Sequence, residues 1–272
     1  MIKINNGFDT LLDASGKVLE VAPKLYDDAI QPSAQEAGKT LSLIPRAINA
    51  AFVPLRRWIA YKEYSMAETE KLLAEKLKNL EPEKIVPPEP YVAVPALQAI
   101  SYSKDNEKLR NLYANLLSKS MNIDTKDRVH PSFVEIIKQL SPFDAILLKK
   151  IADTKETTLG IVKTRLILSE TDESGLDWIK HIINPLFGMN ISNNKEYEIS
   201  LENLERLKLL KITYDTFLVD DSEYIPIENG DICTYCKEHG PRLHDIYKTL
   251  KIKRGKLSLT SFGKEFIYAC VI

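Results

Sequence analysis

The sequence has few glycines, few cysteines and no long uninterrupted apolar run. Its 272 residues include only 10 glycines, too few for an all-β chain whose tight turns depend on glycine. Leucine, lysine, glutamate and isoleucine are abundant instead, as is typical of helices. The sequence therefore predicts a mostly α-helical protein.

The number of cysteines indicates the redox compartment of the protein, and the net charge restricts the classes of partner that it could bind. Cys233, Cys236 and Cys270 are an odd number of thiols, which argues against a disulfide framework and favours a reducing cytoplasm. The first residues, MIKINNGFDTLLDASGK, contain no apolar segment and do not predict a signal peptide. The net charge of −1 excludes a global basic field, so contact with nucleic acid or anionic lipid would need a local patch.

Motifs for phosphate binding, nucleophilic catalysis and metalloprotease chemistry are missing from the sequence. It contains no P-loop, GxGxxG, GxSxG or HExxH. His130 is a candidate general base, and Asp127 is close to it in sequence, but catalysis would need further partners from elsewhere in the fold. We therefore predict no catalytic residue and no cofactor, and expect His130 to close a turn between two helices through a backbone hydrogen bond.

The segment CTYCKEHGPRLH is the one metal-like cluster. Cys233, Cys236, His239 and His244 have the spacing C-x2-C-x2-H-x4-H, and thiolates with imidazoles are suitable ligands for tetrahedral zinc. The two residues between the cysteine pair and the first histidine are fewer than zinc fingers usually have there. We therefore predict local helix and turn residues and no metal site, with zinc binding as the alternative.

The stretch from Leu41 to Tyr64, LSLIPRAINAAFVPLRRWIAYKEY, is the most apolar long segment near the start of the chain. Only nine residues separate Arg46 from Arg56, whereas a membrane span needs ~20 apolar residues. Pro54 is expected to kink a helix here. The apolar residues recur at helical spacing on one stripe, which consists of Ile44, Ile48, Ala51, Phe52, Leu55 and Ile59. The segment therefore predicts a bent amphipathic helix that packs on the protein's own core or lies at an interface.

Basic and aromatic residues mix at the C-terminal end of this helix. Arg56, Arg57 and Trp58 follow Phe52 closely, a combination that suits a membrane interface. It equally suits a helix that packs on its own domain with its arginines in solvent. We predict that Phe52, Arg56, Arg57 and Trp58 contact a membrane or a partner when the helix, buried at rest, is released.

The pattern along the chain predicts three parts. Residues 1–64 hold N-terminal helices including the amphipathic one, residues 65–140 a helical domain, and residues 141–272 a winged-helix-like C-terminal α+β domain. Proline density at 81–95 predicts an extended connector inside the second part. The third part begins at SPFDAILLKKI, where serine, proline and an early aspartate form a strong helix start.

The C-terminal part changes from helical to mixed patterning. The helix SLENLERLKLL precedes a strand, and GKLSLTSFGKEFIYACV predicts a short strand at Lys256 to Leu259 and a closing helix capped by Thr260 or Ser261. Helix, strand, wing-like insertion, strand and closing helix suggest a winged-helix module. The basic residues just before and within this last strand are Lys248, Lys251, Lys253, Arg254 and Lys256.

This basic set makes nucleic-acid binding the alternative function. Lys251, Lys253 and Arg254 are the candidate phosphate contacts of a wing. The candidate recognition helix, however, carries Glu202 and Glu205, which phosphate would repel. We therefore expect this domain to serve mainly in protein contacts.

Two long passages resemble the Abi-alpha family of bacterial proteins, which is named for abortive infection by bacteriophage. The first contains LRNLYANLL and HPSFVEIIKQLSP, and the second contains SLENLERLKLL and GKLSLTSFGKEFIYACV. The resemblance covers nearly the whole chain and implies a cytoplasmic bacterial protein of antiphage defence or of a related stress response. It brings no catalytic residues to carry over.

The sequence and the resemblance together predict a non-enzymatic component of antiphage defence. We expect it to act through a protein partner of phage or host, with a role for the inner membrane surface and for a homo-oligomer. Winged-helix nucleic-acid binding is the alternative, and a metal-dependent enzyme is a distant one.

Overall fold

The computed structural model describes residues 40–59, 66–102, 106–169, 174–242 and 246–272. Within these residues the protein is mostly helical, as predicted, and it contains one small antiparallel sheet. The α-helices are α1 Thr40–Ile59, α2 Met66–Leu77, α3 Pro90–Tyr102, α4 Glu107–Ser120, α5 Ser132–Lys138, α6 Pro142–Asp153, α7 Asn194–Arg206, α8 Ile225–Glu228, α9 Asp231–His239 and α10 Ser261–Phe266. The strands are β1 Thr158–Ile167, β2 Gly175–Asp177, β3 Leu210–Thr213 and β4 Thr249–Leu259.

The chain divides into two compact units. One unit comprises Met1–Asp105 and Tyr113–Val134, and the other comprises Asn106–Leu112 and Glu135–Ile272. The division into parts at residues 64 and 140 stays a prediction. We call the two units the helical unit and the sheet unit.

In the helical unit, α1 packs against α2 and α3. The proline-rich segment differs from the extended connector that its composition suggests. Its first half holds a 3₁₀ turn at Pro82–Lys84 and an isolated bridge from Ile85, but α3 begins at Pro90 and continues through Pro95. A proline in the first turn costs no hydrogen bond, because the amide there has no helical partner.

In the sheet unit, the start of α6 agrees with the sequence prediction. Ser141 caps the helix by accepting a hydrogen bond from Asp144 N, and the Asp144 side chain accepts in return from Ser141 N. The first helical position is Pro142. This capping box satisfies two amides that would otherwise lack partners.

The sheet has the strand order β2-β1-β4-β3, and every neighbouring pair is antiparallel. The central pair is long, because ten residues of β1 pair with ten of β4, from Thr158 opposite Ser258 to Ile167 opposite Thr249. The predicted strand at Lys256 to Leu259 is therefore only the end of β4. Thr260 caps α10, as expected, and a π-helical segment, Ile267–Val271, continues it.

Helices and an insertion surround this sheet. Contacts join α7 to β3, α8 to β1, and α9 and α10 to β4. The insertion is residues 214–248 between β3 and β4, and its described residues, 214–242 and 246–248, contain α8, α9 and two 3₁₀ turns. The sheet therefore positions two surfaces, its own exposed face and the outer side of the insertion.

Candidate interaction surfaces

The register of β1 and β4 places four basic residues together on one face of the sheet. Lys163 lies opposite Lys253, and Arg165 lies opposite Lys251. Side chains two residues apart on a strand share a face, so the two pairs are neighbours. We call this group, Lys163, Arg165, Lys251 and Lys253, the cationic face.

Asp177 of β2 adjoins the cationic face. Its carboxylate lies 2.7 Å from Lys163 Nζ and 2.8 Å from Arg165 NH1. Burial acts to raise the pKa of Asp177, but the hydrogen bonds and charges of the two cations outweigh it and leave the pKa below its ordinary value. Lys163 also lies 4.8 Å above the ring centre of Tyr214. Lys163 and Arg165 of β1 are therefore held in place. Lys251 and Lys253 of β4 are exposed.

Only two of the three predicted nucleic-acid contacts belong to this face. Arg254 lies opposite Val162 and so points to the other side of the sheet. Its guanidinium binds Glu228 at 2.6 and 3.0 Å and Asp221 at 2.5 Å, and it lies 4.7 Å from the ring centre of Tyr224. Hydrogen bonds to these carboxylates raise the pKa of Arg254. Arg254 is thus held by carboxylates of the insertion, and its role as a nucleic-acid contact stays a prediction.

The sequence prediction missed Lys163 and Arg165. Both lie in VKTRLI, where charged and apolar residues alternate. That alternation is typical of a strand with one face in solvent. Recognising β1 as a strand would have placed Lys163 and Arg165 together on its solvent face. Grouping them with Lys251 and Lys253 requires the register of β1 with β4.

The insertion is fastened to the sheet at several points. Tyr224 Oη donates to Gly255 O and accepts from Leu218 N, both at 2.8 Å, and Glu223 Oε2 accepts from Gly160 N at 3.2 Å. Arg254 adds its two carboxylate contacts from the sheet side. Because of these bonds, the insertion holds a fixed position on the sheet unit.

Apolar side chains protrude from this anchored insertion. Phe217 is 59% exposed, Val219 97% and Ile225 52%. Acidic residues accompany them in the same segment, namely Asp215, Asp220, Asp221 and Glu223. We call Phe217, Val219 and Ile225 the insertion surface. A contiguous patch of exposed apolar side chains is typical of protein–protein contact sites.

The cysteines of the metal-like cluster are buried on α9. Cys233 and Cys236 are fully buried, and burial raises the pKa of the Cys233 thiol to about 12. His239 is exposed and stacks on Tyr235, with 4.3 Å between ring centres. His244 lies outside the described residues. Among the residues that the structure describes, no group of three or more histidine, cysteine or carboxylate side chains is arranged to hold a metal ion.

His130 lies at the start of α5. Its Nδ1 accepts a hydrogen bond from Ser132 N at 3.2 Å and lies 2.6 Å from Ser132 Oγ. Its ring is exposed and lies 5.8 Å from the ring of Phe133. This bond joins His130 to the first residue of α5, and the closing of a turn between α4 and α5 by His130 stays a prediction.

The predicted contact helix is α1. Phe52 and Ile48 are fully buried, and Ala51 is 3% exposed, whereas Val53 is 49% exposed. The side chains of Arg56, Arg57 and Trp58 lie outside the described residues. None of the helices described has the length and apolar character that crossing a membrane requires.

A surface cavity of about 790 Å³ lies between α6 and α7. Its lining is largely apolar, with Phe143, Ile146 and Ile199 on its walls. The polar residues of the lining include Asp144, which accepts from Ser200 Oγ at 2.5 Å and from Asn203 Nδ2 at 2.9 Å. These hydrogen bonds join the two helices below the cavity.

Comparison with known proteins assigns a family to the chain. No curated protein and no solved structure matches it. Residues 61–270 match the family described as abortive infection alpha, which agrees with the resemblance seen in the sequence. Since the match covers most of the chain, the protein belongs to the abortive infection alpha family.

Proposed function

We propose that the protein is a component of bacterial antiphage defence that acts by binding a protein partner and not by catalysing a reaction. Membership of the abortive infection alpha family supports the role in defence. The insertion surface is the observation that supports binding. We place the protein in the cytoplasm of a bacterium.

Phe217, Val219 and Ile225 are the residues that we assign to the partner. Apolar side chains in solvent lower the free energy of association when a partner covers them. Because the insertion is anchored by Tyr224 and Arg254, a partner would not have to order it, which lowers the entropic cost of binding. The acidic residues around the insertion surface favour a partner with an apolar patch and a basic rim.

The architecture of the sheet unit also supports a winged-helix-like assignment. The helix α7, strand β3, the insertion, strand β4 and helix α10 follow one another in the order that such a module requires. The insertion takes the place of the wing. In this proposal the enlarged wing is the part that meets the partner.

The helix α1 supplies a second contact, which we propose for the membrane or for a partner after release. The burial of Phe52 corresponds to the resting state in this proposal. Release would exchange one apolar environment for another, so the two states need not differ greatly in free energy. We further propose that the protein forms a homo-oligomer.

The experiment compares phage protection by matched variants with exposed apolar residues removed. Cells that express Phe217→Ser combined with Val219→Ser should lose protection across a phage panel, while the purified variant keeps its thermal unfolding midpoint. Leu186→Ser is the control, because Leu186 is 92% exposed in the same unit but lies outside the insertion, and it should still protect. Membrane potential and nucleic-acid integrity are followed during infection.

Protection by the Phe217→Ser, Val219→Ser variant at the wild-type level would show that the insertion surface is not the site of action. Turnover of nucleic acid or nucleotide by the purified wild-type protein would overturn the non-enzymatic part of the proposal.

A further inference from the structure

Two surfaces of the sheet unit present apolar side chains to solvent. One is the insertion surface, where Val219 is 97% exposed. The other is the cavity between α6 and α7, where Ile199 on one wall is 58% exposed. Covering either surface would remove apolar area from water and so favour association.

These two surfaces do not cover each other within one copy of the chain. The insertion is held on the sheet by the hydrogen bond from Tyr224 Oη to Gly255 O and by the bond from Gly160 N to Glu223. With the insertion anchored in this way, Val219 and the cavity wall both remain exposed. The two surfaces can therefore meet only between copies.

The cavity has a cation at one end. Asn203 and Gln139 line the cavity, and both accept hydrogen bonds from the guanidinium of Arg206. The distances are 3.1 and 2.8 Å to Asn203 Oδ1 and 3.0 Å to Gln139 Oε1. The two amides fix the position of the guanidinium, and no carboxylate among the described residues forms an ion pair with it.

The insertion carries an anion at a spacing that matches. Asp220 directly follows Val219 and lies three residues after Phe217, and three residues of extended chain reach about 10 Å. The seven residues from Ile199 to Arg206 on α7 correspond to about 10.5 Å of helix rise. A loop that places Phe217 against Ile199 therefore brings Asp220 within reach of Arg206.

We propose that the protein assembles head to tail, with the insertion surface of one copy seated in the cavity between α6 and α7 of the next copy and Asp220 paired with Arg206. This inference rests on the proposed function, because it assigns a second copy of the chain as the partner of the insertion surface. The two surfaces in contact are different, so the contact is heterologous. Such a contact repeats from copy to copy and builds a ring or an open filament.

The size and charges of the cavity suit this occupant. Its volume is about 790 Å³, within the roughly 300–1,000 Å³ of pockets that hold a drug-sized ligand. Phe143 and Ile146 supply apolar walls for the side chains of the insertion. Glu196 also lines the cavity, about 15 Å from Arg206 along α7. It would repel Asp220, which Arg206 attracts, so the charges determine the direction in which the insertion enters.

A purely structural explanation for these residues also exists. Arg206 lies in the last turn of α7, where a cation interacts favourably with the helix dipole. Single exposed apolar residues such as Ile199 are common on protein surfaces. On this explanation the protein is a monomer, and changes at either surface leave its mass in solution unchanged.

The test measures the mass of the full chain by analytical ultracentrifugation as its concentration is raised from low to high micromolar. The wild type should form species larger than a dimer. Phe217→Ser combined with Val219→Ser, and separately Ile199→Asp, should weaken association roughly tenfold or more. Leu186→Ser is the control, because Leu186 is 92% exposed but lies on neither surface, and it should assemble as the wild type does. Thermal unfolding verifies that each variant is folded.

Mixing two defective variants tests the head-to-tail geometry. The Phe217→Ser, Val219→Ser variant keeps an intact cavity, and Ile199→Asp keeps an intact insertion surface. Together they should form a 1:1 dimer and nothing larger, because the surfaces left over at its two ends are both defective.

A charge exchange tests the pairing of Asp220 with Arg206. Arg206→Glu should weaken association on the order of tenfold, because repulsion replaces attraction. Adding Asp220→Lys to the same chain should restore association, which a damaged fold would not allow. Lys264→Glu is the control, because Lys264 is exposed in the same unit away from both surfaces, and it should assemble as the wild type does.

Several results would overturn the inference. These are a wild-type protein that stays a monomer or stops at a dimer, assembly of Ile199→Asp at the wild-type level, and a mixture of the two defective variants that forms no dimer. If the wild type is a monomer and the Phe217→Ser, Val219→Ser variant still loses phage protection, this inference fails while the proposed function stands. Full protection by that variant in a protein that does assemble would count against the proposed function instead.

Discussion

Asp144 of α6 accepts a 2.5 Å hydrogen bond from the hydroxyl of Ser200 on α7. The same carboxylate caps its own helix through Ser141 N and accepts from Asn203. Asp144 is only 2% exposed, so a charge would be costly there without these three donors. One side chain thus starts α6 and joins it to α7.

Replacing Asp144 by alanine should lower the free energy of unfolding by roughly 2–4 kcal/mol. Hydrogen bonds to a charged group contribute roughly 1.5–3 kcal/mol each and do not add independently. Urea unfolding measures the change. Ser141→Ala removes only one cap contact and should cost about 1 kcal/mol; equal losses in the two variants would show that the bonds to α7 add nothing.

Replacing Arg254 by glutamine should loosen the insertion without unfolding the sheet. The substitution removes the contacts to Glu228 and Asp221, while Tyr224 still binds Gly255. Hydrogen exchange should become faster in α8 and α9 and remain unchanged in β1. Lys253→Gln is the matched control, because Lys253 is next to Arg254 in sequence but lies on the other face of the sheet. Unchanged exchange in the insertion of Arg254→Gln would show that Tyr224 and Glu223 suffice to hold it.

His181 should make stability depend on pH below neutrality. Burial lowers its pKa, and this effect outweighs the opposing charges of Glu202, Glu198 and Glu205 on α7, while Lys180 adds to the lowering. The folded state therefore takes up the proton less readily than the unfolded state, whose pKa is about 6.5. Stability is fully present above that value and is lost as the pH falls below it.

His181→Gln should remove this loss, which denaturant unfolding at pH 7.5, 6.5 and 5.5 would measure. The exposed His239, replaced in the same way, is the control and should leave the pH dependence in place. A wild-type protein as stable at pH 5.5 as at pH 7.5 would argue against a lowered pKa.

Replacing Phe52 by alanine should cost about 3–5 kcal/mol, because the side chain is fully buried and leaves a cavity. Val53→Ala changes a half-exposed neighbour and should cost about 0.5 kcal/mol or less. Thermal unfolding compares the two variants. A stable Phe52→Ala protein that no longer protects cells would identify Phe52 as a contact residue and not a core residue.

The thiols of the folded protein should react slowly with a disulfide reagent at pH 8. Only the thiolate is nucleophilic, and burial raises the pKa of Cys233 to about 12 and that of Cys236 above its ordinary value. Cys270 is fully buried as well. All three should react promptly in guanidinium chloride. Fast reaction of the native protein would contradict the burial of these thiols.

Local signals in the sequence identified the helix starts but not the long-range partners. The serine, proline and aspartate at 141, 142 and 144 predicted the start of α6 because the whole signal lies within four consecutive residues. The partners of Arg254, Glu228 and Asp221, were not predicted because they are 26 and 33 residues away in the chain. No periodicity encodes such a pairing, which depends on how the insertion returns to the sheet.

The cationic face was also predicted only in part from the sequence. Its β4 half was visible as a basic cluster, whereas Lys163 and Arg165 are separated from it by more than 80 residues of sequence. Their alternation with apolar residues indicates a strand, but cross-strand neighbours follow only from the register. Burial of Phe52 could be anticipated from the apolar stripe of α1, because helical periodicity is local.

The pairing of β1 with β4 also determines when the sheet unit can form during synthesis. Thr158 and Ser258 are hydrogen-bonded neighbours that are 100 residues apart in the chain. Contacts of such separation form slowly, because a long loop must close before they contribute. While the ribosome is still making the residues up to β4, only the short strand β2 can pair with β1, and the rest of β1 stays without its native neighbour. The sheet unit therefore folds only after residues 249–259 have emerged, and its surfaces become available to any partner late and together.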